Sequence, residues 1–112
     1  MYEEQIARGI AVLNERRPSW RELIDMEQLD VISVMTCPVG QAYEITSNLT
    51  EAGRAWDAAL VDLGAPRYDT IRGFYADSPT RAWAIDHGFE TDGGYTAYEE
   101  LTDEWRRALT SA

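Results

Sequence analysis

The sequence TAYEELTDEWRRAL at residues 96–109 carries the strongest periodic pattern in the chain and decides the fold class. Its large apolar side chains recur every three or four residues, as on one face of an α-helix, and they are Tyr98, Leu101, Trp105 and Leu109. Thr96 followed by Glu99 has the spacing of a capping box, which makes Thr96 the predicted cap of this helix. The opposite face is charged and can remain in water, whereas the apolar face needs apolar surface from the rest of the chain to pack against.

Four other segments show helical spacing or helix-entry signals, at residues 2–16, 36–45, 50–63 and 78–88. Ser19 and Glu22 repeat the capping-box pattern and predict a further short helical turn. The first and last helices carry long apolar stripes, so we expect them to be antiparallel neighbours. The prediction is an all-α fold, a compact single-domain bundle of four to five helices over residues 1–112.

Capping residues mark several predicted helix ends. Thr36 is expected to cap a helix with Pro38 in its first turn, and Ser78 precedes a proline in the same way. Gly64 and Gly88 follow apolar periodic segments, so both are expected in the left-handed conformation that closes a helix.

Residues 31–35, VISVM, are the most strand-like stretch of the chain. A single strand has no partner to pair with, so a buried extended connection or a helical turn is the preferred interpretation. A minor β element near residues 31–35 is the alternative.

The chain is strongly acidic, with 20 Asp and Glu against 10 basic residues and a net charge of −10. Such a surface repels the phosphate backbone of nucleic acids and anionic membranes, so direct binding to either is not expected. No apolar run approaches the ~20 residues that a membrane span requires. The charge is interpreted as a means of keeping the protein soluble, as a complement to a basic protein partner, or as an imitation of DNA.

Cys37 and His87 are the one cysteine and the one histidine of the chain. Together they cannot supply a structural zinc site, and one thiol cannot form an internal disulfide, which favours a reducing, cytoplasmic location. Cys37 is interpreted as a small buried apolar residue, with a catalytic nucleophile as the alternative. His87 falls in the last turn of a predicted helix, where it is expected to satisfy carbonyl groups; a pH switch or a general base is the alternative.

The remaining candidate chemistry is sparse. The acidic pairs Glu3–Glu4, Glu99–Glu100 and Asp103–Glu104 lie on predicted polar faces, where water prevents the desolvation that acid–base catalysis needs. No phosphate-binding loop, serine-nucleophile motif or zinc motif is present. The sequence therefore predicts no enzyme and assigns no catalytic residue, cofactor-binding residue or metal ligand. The four tryptophans are expected to pack in the core, with an anchoring role in an interface as the alternative.

Several stretches together resemble a family of short acidic proteins that actinobacteria and their bacteriophages encode, and for which no activity is established. The main ones are ARGIAVLNERRPSW at 7–20, CPVGQAY at 37–43 and AIDHGF at 84–89; the others are Ile24–Asp25, Leu29–Asp30, Tyr98, Leu101 and Trp105. Residues 44–82 fall outside the resemblance. Members of the family often carry a second cysteine at the position of Met35. The resemblance implies a phage or actinobacterial context and no mechanism.

These observations predict a non-enzymatic acidic interaction protein, encoded by a phage, that binds a host or phage protein. The partner is expected to be basic or to bind DNA itself. One alternative is a virion or assembly component that self-associates into a homo-oligomer. Others are a DNA mimic that inhibits a DNA-binding protein, and a small enzyme that uses Cys37 or carboxylates.

Overall fold

The computed structural model describes residues 2–45, 49–67 and 78–110. Within these ranges the chain forms six helices and no strand, which confirms the all-α class. The helices are α1 (Glu3–Arg16), α2 (Trp20–Leu23), α3 (Pro38–Ala42), α4 (Leu49–Leu63), α5 (Pro79–Asp86) and α6 (Tyr95–Thr110). Four of them have eight residues or more, and α2 and α3 are short turns of helix.

The six helices share one hydrophobic core. The stripes that the sequence predicts for α1, α4 and α6 are the faces that become buried, and Leu13, Leu60, Leu101 and Trp105 are fully enclosed. α1 lies against α4, α5 and α6, and the contact between α1 and α6 is the one expected from their long stripes. Of the predicted 1–112 domain, residues 1, 46–48, 68–77 and 111–112 lie outside the described part of the chain.

Trp105 is the centre of an aromatic cluster that joins three parts of the chain. Its ring meets Trp20 edge to face at 6.4 Å between ring centroids and stacks on Phe89 at 5.9 Å. Its indole Nε1 donates a hydrogen bond of 2.6 Å to the carbonyl oxygen of Gly88. Trp20 and Trp56 are also buried, so core packing is confirmed for three tryptophans; Trp83 is half-buried.

Helix closure follows the sequence at two glycines. Gly64 and Gly88 have φ angles of 123° and 73°, in the left-handed region. At the second closure, Phe89 N donates to Ala84 O at 2.9 Å, so the chain folds back onto the end of α5 as predicted. A third closure of this type was not predicted, because Glu44 takes the glycine position with a φ of 52°.

Two predicted caps are wrong. The cap of α3 is Cys37 rather than Thr36, and its Sγ accepts a hydrogen bond from Gly40 N at 3.2 Å. The Thr36 hydroxyl instead donates to Asp30 O at 3.3 Å, which removes it from the helix end. α6 begins at Tyr95, so Thr96 lies inside its first turn.

Of the other two capping predictions, one is confirmed and one is wrong. Ser78 caps α5 as expected, since its hydroxyl oxygen accepts from Arg81 N at 3.1 Å. Ser19 is the residue before α2, but its hydroxyl group accepts no capping hydrogen bond from the backbone of this helix, so the capping box with Glu22 is not formed.

Residues 31–35 form turns, and the alternative of a minor β element is wrong. Local hydrogen bonds use the backbone groups that a strand would need for pairing. Asp30 Oδ1 accepts from Ile32 N at 3.2 Å, and Asp30 O accepts from Ser33 N at 3.3 Å. Val31 N donates to Thr102 Oγ1 at 3.0 Å, which fixes this turn against α6.

Candidate functional site

Cys37 lies in the core, with a side chain that is 1% exposed. Its sulfur accepts from Gly40 N and from the indole Nε1 of Trp56, each at 3.2 Å. Burial raises the pKa of the Cys37 thiol, and the two N–H donors lower it by less. The surroundings therefore favour the thiol over the reactive thiolate, in keeping with the structural interpretation of this residue.

A pH-dependence of stability follows from the raised pKa of Cys37. Folded Cys37 keeps its proton at a pH where the unfolded thiol, with a pKa of about 8.5, has lost it. The unfolded state then binds fewer protons, so the free energy of unfolding falls as pH rises, by up to about 1.4 kcal/mol per pH unit. Urea denaturation of the wild type and of Cys37→Ser between pH 7 and 9.5 measures this difference.

The Cys37→Ser variant is the matched control, because a serine hydroxyl can cap α3 and does not titrate in this range. We expect the stability gap between the two proteins to narrow as pH rises above about 8.5. A gap that stays constant up to pH 9.5 would contradict the raised pKa of the thiol. Tyr43 and Tyr98, whose pKa values are also raised mainly by burial, act in the same sense only above about pH 10 and act equally in both proteins.

The sequence places His87 in the last turn of its helix, and the structure places it one position later, as the C-cap residue of α5. Its Nδ1 lies 2.8 Å from the carbonyl oxygen of Trp83, and because a carbonyl can only accept, Nδ1 carries the proton. The imidazole stacks on the Trp83 indole at 3.8 Å between ring centroids. Cys37 and His87 have different hydrogen-bond partners in the part of the chain that the structure describes, so the structure does not bring this imidazole to the thiol as a base.

A half-buried polar cluster that the sequence did not reveal joins α5, the following turn and α6. Glu90 Oε1 accepts from Arg81 Nε at 3.1 Å and from the hydroxyl of Tyr98 at 3.4 Å. The Arg81 and Glu90 side chains are 23% and 14% exposed, and each charge is balanced by the other. We interpret this cluster as structural, because it connects α5 and α6 through the turn between them. The one feature of the sequence that indicated it is the hydroxyl group of Tyr98 on an otherwise apolar stripe.

A groove between α1 and α6, here called the α1–α6 groove, is an open cavity with a volume of about 740 Å³. Its apolar lining residues, here called the floor, are Ile6, Ala7, Ile10 and Ala108; Ala7 is exposed, Ile10 and Ala108 are half-buried and Ile6 is buried. Its charged lining residues, here called the rim, are Glu3, Glu100, Asp103, Glu104 and Arg107. The lining thus carries four carboxylates and one guanidinium beside its apolar residues.

The acidic rim comes from residues that the sequence placed on two solvated faces. Glu3, Glu100 and Asp103 are exposed, as expected, and Glu104 is half-buried and accepts from Tyr2 N at 3.1 Å. The packing of α1 against α6 brings these carboxylates to the two sides of one groove. The sequence identified the acidic pairs but not this arrangement, because it depends on how the two helices meet.

A second cavity of about 390 Å³ is lined by side chains of both charges. Ile32, which is 46% exposed, and Trp56 contribute apolar surface to it, and its charged lining residues are Arg54, Asp57 and Glu90. Glu90 is paired with Arg81, so this lining carries a smaller acidic excess than the α1–α6 groove.

Among residues 2–45, 49–67 and 78–110, no three or more His, Cys, Asp or Glu side chains are grouped as ligands for a metal ion. None of the described helices combines the length and the apolar character needed to cross a membrane.

The chain matches no protein-family model, no curated protein and no solved structure.

Proposed function

We propose that this protein is a non-enzymatic interaction protein that binds a basic segment of a protein partner at the α1–α6 groove. The observation that carries the proposal is the apolar floor of the groove between acidic sides. Partly exposed apolar surface with a charged border is typical of protein-binding sites, because a partner that covers it removes its exposed part from water. The carboxylates select a partner of opposite charge.

The long-range charge supports the same function. A net charge of −10 on 112 residues attracts a basic partner from a distance and accelerates its encounter with the groove. The same charge opposes contact with DNA, RNA and anionic lipid. Cys37 and His87 are the two candidate catalytic side chains, and neither favours the alternative of a small enzyme. The Cys37 thiol is buried and protonated, and the His87 imidazole is part of a helix end.

The resemblance to proteins of actinobacteria and their phages supports a phage-encoded protein whose partner is a host or phage protein. We place the interaction in the bacterial cytoplasm, a reducing compartment in which a free thiol such as Cys37 persists.

The test of this function is affinity capture from actinobacterial lysate, with and without phage infection, followed by identification and purification of the captured protein. Titration of the purified pair at 50 mM and 300 mM salt then measures the dissociation constant. We expect a basic partner, saturable binding, and an affinity about tenfold weaker at the higher salt concentration, because salt screens the charges.

Three results would contradict the proposal. The first is that no captured protein binds saturably after purification, and the second is a partner whose affinity is insensitive to salt. The third is stable self-association at micromolar concentration, measured by light scattering, with no other partner. That result would favour the assembly component instead.

A further inference from the structure

We infer that the α1–α6 groove takes one amphipathic α-helix of the partner, with an apolar stripe on the floor and Lys or Arg on both flanks. This inference rests on the proposed function and specifies the partner's chemistry and secondary structure. The dimensions of the floor, the hydrogen bonding that each kind of occupant needs and the positions of the charges support it.

The floor has the size and shape for a short helix. On α1 the lining residues run from Glu3 to Ile10, which is about 10 Å of helix, and on α6 from Glu100 to Ala108, which is about 12 Å. Two turns of a third helix have this length. Ala7 and Ala108 are small, so the backbone of a docked helix can approach α1 and α6 closely.

Backbone hydrogen bonding favours a helix over an extended peptide. A peptide that binds as a strand needs an exposed sheet edge for its N–H and C=O groups, and the part of the chain that the structure describes has no strand. A helix satisfies these groups internally and can present apolar side chains alone to the floor. The groove therefore matches the mode in which an amphipathic helix inserts one face between two helices.

The charges on the two sides of the groove are unequal. The α6 side carries Glu100, Asp103 and Glu104, which are spaced i, i+3 and i+4, and Arg107, for a net charge of −2, whereas the charged lining residue on the α1 side is Glu3. A docked helix is thus expected to have more basic residues on its α6-facing flank. Asp103 already lies 3.6 Å from Arg106, but both groups are exposed and such pairs are weak, so its carboxylate can still attract a partner.

The probe is a 14-residue peptide of leucine and lysine arranged with helical period, titrated by fluorescence anisotropy. Two peptides serve as comparisons, one with the same composition in strict alternation and one with glutamate in place of lysine. We expect the helical leucine–lysine peptide to bind at least about tenfold more tightly than either comparison peptide.

Two pairs of variants locate the binding. Ala7→Arg places a long cationic side chain on the floor, and Ala82→Arg makes the same change at an exposed position of α5 outside the groove. The double variant Glu100→Gln/Asp103→Asn removes two rim charges, and Glu22→Gln/Glu27→Gln removes two exposed charges elsewhere. Circular dichroism confirms that each variant is folded.

We expect Ala7→Arg to weaken peptide binding at least about tenfold and the rim double variant about fivefold, with both controls within about twofold of the wild type. Equal weakening by the rim and control double variants would overturn the inference, since the affinity of the peptide would then depend on the net charge of the protein and not on the groove. The same holds if Ala7→Arg binds like the wild type, or if the alternating peptide binds as well as the helical one.

The groove inference and the proposed function can fail independently of each other. If a captured basic partner binds saturably and with salt dependence, but Ala7→Arg leaves its affinity unchanged, the groove inference fails and the interaction function stands. If no captured protein binds saturably, the proposed function fails whatever the peptide does.

Discussion

Replacing Gly9 with alanine is expected to lower the free energy of unfolding by about 2–3 kcal/mol. Gly9 is buried on the face of α1 that packs against the turn after α5. An added Cβ would collide with the carbonyl oxygen of His87 and would lie 3.1 Å and 3.2 Å from two ring atoms of Phe89. The backbone oxygen cannot move without shifting the Gly88 closure, so the clash outweighs the helix propensity gained, which is about 1 kcal/mol.

Gly53→Ala is the matched control for this prediction. Gly53 also lies inside a helix, and apart from its chain neighbours and the backbone of its own helix no heavy atom is within 4 Å of the position a Cβ would take. We expect Gly53→Ala to stabilise the protein by up to about 1 kcal/mol, because alanine favours the helix and restricts the unfolded chain. Urea denaturation measures both effects. Equal stability changes in the two variants would refute the close packing of α1 on residues 87–89.

Replacing Trp105 with alanine is expected to cost about 3–5 kcal/mol, the largest loss we predict for a single side chain. Its side chain has no exposed surface and contacts Trp20 and Phe89, so truncation leaves a large cavity between α6, α2 and the turn after α5. Truncation also leaves the buried carbonyl of Gly88 without the Nε1 donor.

Trp105→Phe separates the two contributions. Phenylalanine keeps most of the aromatic packing but cannot donate to Gly88 O, so we expect a smaller loss of about 1–3 kcal/mol. Urea denaturation gives the stabilities, and near-ultraviolet circular dichroism reports on the packing of the aromatic cluster. A loss below about 1 kcal/mol for Trp105→Ala would contradict the central position of this ring.

Much of the fold could be predicted from the sequence, because amphipathic spacing and helix-closing glycines are local signals. The stripes through Leu60 and Leu101 identified buried faces, and Gly64 and Gly88 marked two helix ends correctly. These features depend on residues within a few positions of one another, which is the range over which sequence patterns are informative.

The errors lie where tertiary contacts override local preference. Cys37 caps α3 because Thr36 is held by Asp30, and a thiol is not among the usual capping groups. Glu44 adopts a left-handed conformation that its residue type does not signal. Residues 31–35 form turns because Asp30 accepts backbone hydrogen bonds from the residues that follow it.

For the candidate site, the sequence predicted individual residues but not their arrangement. The sequence identified Glu3, Glu100 and Asp103 as solvated acids, and the structure agrees. That Ala7 and Ile10 form an apolar floor between these acids follows from the way α1 meets α6. The apolar stripes predicted that the first and last helices are neighbours, but not which of their residues line the space between them.

The most direct test of the account is the position at which a basic amphipathic helix contacts this protein. Two-dimensional nuclear magnetic resonance of the ¹⁵N-labelled chain, titrated with the helical leucine–lysine peptide, maps that position residue by residue. We predict that the largest shift changes fall on Ile6, Ala7, Ile10 and Ala108, and that the amides of Ile32 and Arg54 stay unchanged. Changes spread evenly over the acidic surface, or concentrated at Ile32 and Arg54, would contradict a docking site in the α1–α6 groove.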